Sequence, residues 1–217
     1  MTIQQIYDHY DIMPSLQLHM LRVTAVAAMI VESFNQPLDK NNIIKACLLH
    51  DMGNIVKFDF NYMKESMPQF LEPLGLKYWQ KVKDQFVAQF GSDEYEVTNQ
   101  ILNDLDVNSR IKELINCNGF VNLPERKGDT EFGKKISVYS DCRVGPYGVL
   151  PLIDRLNEGR ERFRANKKHH DDQVFEEGVV FLQEIELQIF AHTSIKPVDI
   201  VDVSIEKSVL NLRNYVI

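Results

Sequence analysis

The chain has 217 residues, 44% of them hydrophobic and 25% charged, which excludes a disordered chain and allows one sizeable core. Its 24 Lys and Arg stand against 31 Asp and Glu, a formal net charge of -7. That is the wrong sign for a general binder of nucleic acid or of an anionic membrane surface. Three cysteines, Cys47, Cys117 and Cys142, are odd in number and far apart, which argues against a disulfide framework and fits a reducing compartment. The opening Met1–Ile6 has no basic n-region and is followed by Asp8 and His9, so no signal peptide is expected. The best apolar run, Val23 to Val31, is too short for a membrane span. A cytoplasmic protein without a membrane partner is the expectation.

The periodicity is helical almost throughout, so the expected class is all-α. Pro14 opens a helix running to about Phe34, with Leu16, Met20, Val23, Ala27 and Ile30 on one face. Asp39 caps a second helix through Ile43, Ala46 and Cys47 to His50 and Asp51, which Gly53 ends. Pro68, Pro73 and Gly75 break the next stretch. Leu76, Trp79, Val82, Phe86 and Phe90 mark a further amphipathic helix. Ser92 is the expected cap of the one after it, with Tyr95, Thr98, Ile101, Leu102 and Leu105 as its apolar side. Asn108 caps a short helix, residues 118–133 read as a loop, and Glu131 to Cys142 is helical. Pro151 suits the start of another helix, and Asp171 to Phe190 forms a long one. Val198 to Val203 reads equally as strand or helix. The organisation expected is a helical domain over residues 1–165, with a C-terminal extension, 166–217, packed on it.

Chemistry concentrates at His50-Asp51, an imidazole beside a carboxylate at a helix end. His19 looks inward from the preceding helix, and Asp141 lies on the helix before Gly145. Two imidazoles and two carboxylates suit a divalent cation such as Mn, Fe, Co, Ni, Zn or Mg. Four ligands on an octahedral ion leave positions for a water and a phosphate oxygen. Each residue alone has an ordinary reading: a histidine on an apolar face is most often a hydrogen-bonded core residue, and an aspartate at a helix end a cap. It is the combination that carries the inference.

In that combination the sequence resembles the HD-domain superfamily of metal-dependent phosphohydrolases. Ala46-Cys47-Leu48-Leu49-His50-Asp51-Met52-Gly53-Asn54 is the most specific stretch. His19-Met20-Leu21-Arg22-Val23 is similar to the family's first-histidine helix, and Ser140-Asp141-Cys142-Arg143-Val144 to its last-aspartate region. The resemblance covers roughly residues 14–165. It implies an HD-domain helical bundle in which His19, His50, Asp51 and Asp141 hold one metal ion. Many members carry Lys three residues after the motif aspartate, and some nucleotidases carry Glu; this chain has Asn54, which can orient a water or a phosphate oxygen but brings no charge. Asp59 is similar in spacing to a carboxylate that some family nucleotidases place near the attacking water. Dinuclear members recruit further histidines between the motif aspartate and the last one. None occurs here from Met52 to Ser140, so one tightly bound transition-metal ion per chain is expected.

A phosphate needs cations besides the metal. Arg22, one turn after His19, Lys57 and Arg143 are the candidates for substrate binding. Arg155, Arg160, Arg162 and Arg164 alternate with Asp154, Glu158 and Glu161, the pattern of an exposed salt-bridged face. Lys167 and Lys168 continue that basic cluster, and His169-His170-Asp171-Asp172 reads as a polar run before a helix. No nucleophile elbow, phosphate-binding Gly-rich loop or dinucleotide fingerprint occurs, and no Cys-x-x-Cys spacing. The expected activity is hydrolysis of a small phosphate ester, a nucleotide monoester in the first instance, with Asp51, Asp59 and Asn54 serving the attacking water. The alternatives are a phosphodiesterase and a ligand-sensing module that keeps the metal. A small phosphorylated molecule is the expected partner, and a homo-oligomer is compatible with the sequence.

Overall fold

A computed structural model describes residues 1–117, 123–165 and 172–217. It is all-α: among the described residues the only β-pairings are three isolated bridges. The helices run in chain order as α1 (Ile3–His9), α2 (Pro14–Ser33), α3 (Lys40–Leu49), α4 (Phe60–Ser66), α5 (Gly75–Phe90) and α6 (Glu94–Asp104). After them come α7 (Ser109–Asn116), α8 (Leu123–Gly128), α9 (Phe132–Asp141), α10 (Leu152–Ala165), α11 (Asp172–Phe190) and α12 (Asp202–Leu212). Short 3-10 turns cover Asn54–Lys57, Pro68–Leu71 and Pro197–Asp199.

The centre of the bundle is α2. Pro14 occupies its first turn, where the missing N–H costs nothing. Met20, Leu21, Ala25, Val26, Ala27 and Ile30 are all fully buried, on more than one side of the helix. Such burial requires neighbours on several sides, and α3, α9 and α12 supply them. The helix is long and apolar enough to cross a membrane by length and composition, but it is mostly buried inside the protein, as a core helix is. Against it, α3 begins at Asp39, whose side chain accepts the Asn42 N–H, and buries Ile43, Ala46, Cys47, Leu48 and Leu49. Each of the isoleucine and leucine side chains contributes about 1.5–3 kcal/mol on leaving water. Tyr7 of α1 donates its hydroxyl to Leu48 O at 2.7 Å, fixing the last turn of α3 from outside.

Several local expectations are corrected. The helix over Lys40–Leu49 ends at His50, before Gly53. Gly53 instead allows a close approach: a Cβ there would lie 2.5 Å from Glu94 O and 2.8 Å from both Thr98 N and Thr98 Oγ1. Its own N–H donates to Thr98 Oγ1 at 3.0 Å, so the turn after His50-Asp51 is seated on α6. The cap of α6 is Asp93, which accepts from the Tyr95 and Glu96 N–H groups; Ser92 lies one residue outside it. Tyr95 is half exposed, and Val97 takes the core position. Part of the expected loop 118–133 is helix α8; residues 118–122 lie outside the described residues. The equivocal tail is helical, with a 3-10 turn leading to α12. That tail packs on α2 and α1, through the Phe34–Thr193 and Thr2–Val216 bridges and the Ile3 N–H to Tyr215 O bond.

Gly53→Ala should cost about 1–3 kcal/mol of stability, read as a urea midpoint at lower denaturant, because the Glu94 and Thr98 backbone meets the new methyl. An unchanged midpoint would show that α6 can retreat freely from the turn.

Candidate metal centre

Three elements bring the chemistry together. His19 projects from the second turn of α2, His50 and Asp51 follow the end of α3, and Asp141 is the last residue of α9. His19 Nε2 lies 3.1 Å from Asp141 Oδ1 and 3.6 Å from Asp51 Oδ2. His50 Nε2 lies 3.6 Å from Asp141 Oδ1 and 3.7 Å from Asp51 Oδ2. Ligand atoms of His19, His50 and Asp141 all lie within 4.8 Å of one another. Opposite ligands on a small dication stand about 4 Å apart, so one ion can serve the set.

His50 tests whether a metal fits. Its Nδ1 is 2.8 Å from Cys47 O, and the carbonyl there can only accept, so Nδ1 carries hydrogen. Its Nε2 is buried and has no hydrogen-bond partner. A buried polar atom without a partner is costly unless something outside the protein fills the place. An imidazole oriented by a carbonyl at one nitrogen, with the other aimed at two carboxylates, is arranged as a metal ligand. Burial pushes the His50 pKa down, but the Asp51 and Asp141 carboxylates outweigh it and hold it at about 9. Burial pushes Asp141 up, and the two histidines override it, holding its carboxyl well below the usual range. In the metal-free protein the proton on His50 therefore stands in for a cation.

These side chains form the floor of a cleft of about 420 Å3. Asn54, buried at the start of its 3-10 turn, lines it beside Lys57, whose ammonium is 3.6 Å from Glu94. Asp59 lies on the wall, where Oδ1 accepts the Asn61 and Tyr62 N–H groups as the cap of α4. Phe58, Tyr62, Phe70, Tyr95 and Phe163 supply aromatic surface.

Two candidates are placed elsewhere. Arg22 does not line the cleft; its Nε is 3.8 Å from Asp202 on α12. Arg143 is buried and does not line the cleft; its guanidinium is engaged by the Leu150, Pro197 and Ile200 carbonyls and the Tyr139 hydroxyl. Besides Lys57, the cations that reach the cleft are Arg155 and Arg162, two turns apart on α10. Both are held by Glu158, at 3.1 Å and 2.9 Å. A Cβ on Gly159 would come within 2.8 Å of Arg155 Nη1, so the glycine leaves room for that guanidinium. The interleaved acids suggested a solvated face; the sevenfold spacing of Arg155 and Arg162 was the signal for a shared inward one. Arg160 and Arg164 do pair outward, with Asp172 and Glu176. His9 meets Tyr10 edge-on, and His192 packs against the Phe34 and Phe132 rings, away from the cleft. Lys167, Lys168, His169, His170 and Asp171 lie outside the described residues.

Residues 17–114 match a family model described as HD domain. That span contains His19, His50 and Asp51 and stops before Asp141. Searches of curated proteins and of solved structures each give no significant match.

Raising a histidine pKa from 6.5 to about 9 favours the folded, metal-free protein below pH 6.5, and that contribution is lost as pH rises through about 9. Binding a cation at Nε2 must expel the same proton. Affinity should therefore climb by up to about tenfold per pH unit across that window, with proton release visible by calorimetry in buffers of different ionisation enthalpy. His50→Ala should abolish stoichiometric binding while far-UV circular dichroism keeps its helical signal. Proton-neutral binding at neutral pH, or full binding by the variant, would contradict the assignment.

Proposed function

We propose, on the match of residues 17–114 to the HD domain family, that the chain is a metal-dependent phosphohydrolase acting on a small phosphate ester, a nucleotide monoester in the first instance. The single observation that carries this reading is the convergence of His19, His50, Asp51 and Asp141 on the floor of a cleft that also presents cations and aromatic rings. Those four side chains would hold the ion. When bound, it would polarise a phosphate oxygen and lower the pKa of a water.

The protein's own groups divide the remaining work. Asp51 and Asp59 offer carboxylates to orient or deprotonate the attacking water, and the Asn54 amide can donate to a phosphate oxygen or accept from the water. Arg162, Arg155 and Lys57 offer donors to phosphate oxygens; a guanidinium does so through a planar fork, an ammonium as a point charge. Tyr62, Phe70, Tyr95 and Phe163 can take the apolar faces of a ring system such as a nucleobase. A volume of about 420 Å3 lies in the range of small-molecule sites. One ion, without the paired-ion clamp on attacking and leaving oxygens, suits a terminal phosphate better than a diester. One observation supports a second reading: Asn54, neutral where charge would be expected, suits a module that senses a phosphorylated ligand with little turnover.

A turnover screen separates these readings. Protein loaded with Mn, Co, Ni, Mg or Zn should release phosphate from nucleoside monophosphates in preference to cyclic nucleotides. Preferential opening of cyclic nucleotides would move the assignment to a phosphodiesterase, and saturable binding without release to a sensor. Arg162→Ala should raise KM for the preferred monoester roughly tenfold, the cost of one charge-assisted contact, with a smaller change in kcat. An unchanged KM would remove Arg162 from the substrate site.

A further inference from the structure

Asp141 is the last residue of α9, where helix ends fray most easily. A metal ligand must stay within about 0.5 Å of its working position, so something beyond the helix has to hold it. The chain after Asp141 returns on itself in a tight loop. Val144 N–H donates to Asp141 O at 3.1 Å, Gly145 N–H to Gly148 O at 2.8 Å, and Val144 pairs with Val149.

This loop is gripped by residues far away in sequence. Arg143 sends Nε to Leu150 O at 2.5 Å, across the loop, and Nη2 to Pro197 O at 3.2 Å and Ile200 O at 3.0 Å. Its Nη1 donates to the Tyr139 oxygen at 2.6 Å, and that hydroxyl donates to Glu186 at 2.6 Å. From the start of α12, Asp202 Oδ1 accepts the Val149 N–H at 3.1 Å. Gly148 permits the approach, since a Cβ there would lie 2.3 Å from Asp202 Oδ2. The same Oδ1 lies 3.8 Å from Arg22 Nε, one turn beyond His19 on α2. A single carboxylate thus touches both the helix that carries His19 and the loop that leaves Asp141.

We propose, taking the metal centre above as given, that Asp202 and Arg143 are positioning residues: the segment from Pro197 to Asp202 braces the Asp141 loop against α2 and so sets the spacing of the His19 and Asp141 ligands. The Val149 bond is the working contact. The Arg22 pair is longer and half exposed on the Asp202 side, and such pairs contribute little in water.

Asp202 is more than half exposed, so its variants should fold. Full-length wild type, Asp202→Ala and Asp202→Asn are titrated with Co2+, following the visible absorption of the bound ion. Amide hydrogen exchange at Val149 is measured without metal. Asp202→Ala should weaken Co2+ binding about tenfold or more, as loss of an outer support does at metal sites, change the visible band, and speed Val149 exchange. Asp202→Asn keeps an acceptor oxygen and should restore all three. Arg143→Lys, which keeps the charge but not the fork, should behave like Asp202→Ala. Wild-type affinity and spectrum in Asp202→Ala would overturn the brace, and so would an Asp202→Asn as weak as the alanine variant. Absence of Co2+ binding by the wild type would instead sink the metal centre and, with it, any role for the brace there, whatever Val149 does.

Discussion

One buried nitrogen governs the arrangement around it. His50 Nε2 is withdrawn from water and has no hydrogen-bond partner, the nearest carboxylate oxygens standing 3.6 and 3.7 Å away, while its other nitrogen is tied to the Cys47 carbonyl. A site of that kind needs a positive occupant, either a proton or a cation. Asp51 and Asp141 are placed to favour both, and the proton wins when no cation is present. Every neighbouring device serves to keep this small charge-balanced group in place. Tyr7 secures the end of α3, Thr98 seats the turn below it, and the α9 loop is tied off behind Asp141.

The floor and the rim of the cleft are built on different principles. The floor comes from helices buried in the core, α2, α3 and α9, where close packing leaves side chains few alternatives. The rim comes from α4, α10, the 3-10 turn after Gly53 and the loop after Asp141, with side-chain contacts across it such as Phe70 against Tyr147 and Glu158 between two arginines. A rigid floor suits the part of the chemistry that needs fixed geometry. On the proposed function, the rim is where substrate preference could be adjusted apart from the metal ligands.

The all-α class was legible in the sequence because apolar residues recur at helical spacing in nearly every segment. The HD resemblance was legible because His50-Asp51-Met52-Gly53 is local, so its geometry is written in adjacent residues. What stayed hidden depended on contacts between distant segments. Arg143 stands two residues from Asp141, and proximity in sequence suggested proximity to substrate, yet the turn sends its side chain into the core, where Pro197 and Ile200 receive it. Arg155 and Arg162 looked solvated because acids alternate with them, but one of those acids, Glu158, aims them at the cleft. At α12, β-branched Val198, Val201 and Val203 obscured a helix whose buried stripe, Ile205, Val209 and Leu212, begins only afterwards.

The distribution of these residues along the chain also bears on when the site can come into being. Three of the four candidate ligands lie in the first quarter of the sequence, the fourth at Asp141, and the carboxylate that ties its loop to α2 at Asp202. Closing such long loops costs entropy that no nearby contact repays, so their ends meet late in folding. During synthesis, the ribosome releases His19, His50 and Asp51 well before their last partner. On the proposed metal centre, a cation arriving in that interval would meet only part of its ligand set. Secure capture would then wait for the segment around α12 to dock, so that ion loading would mark a finished fold and not nucleate it.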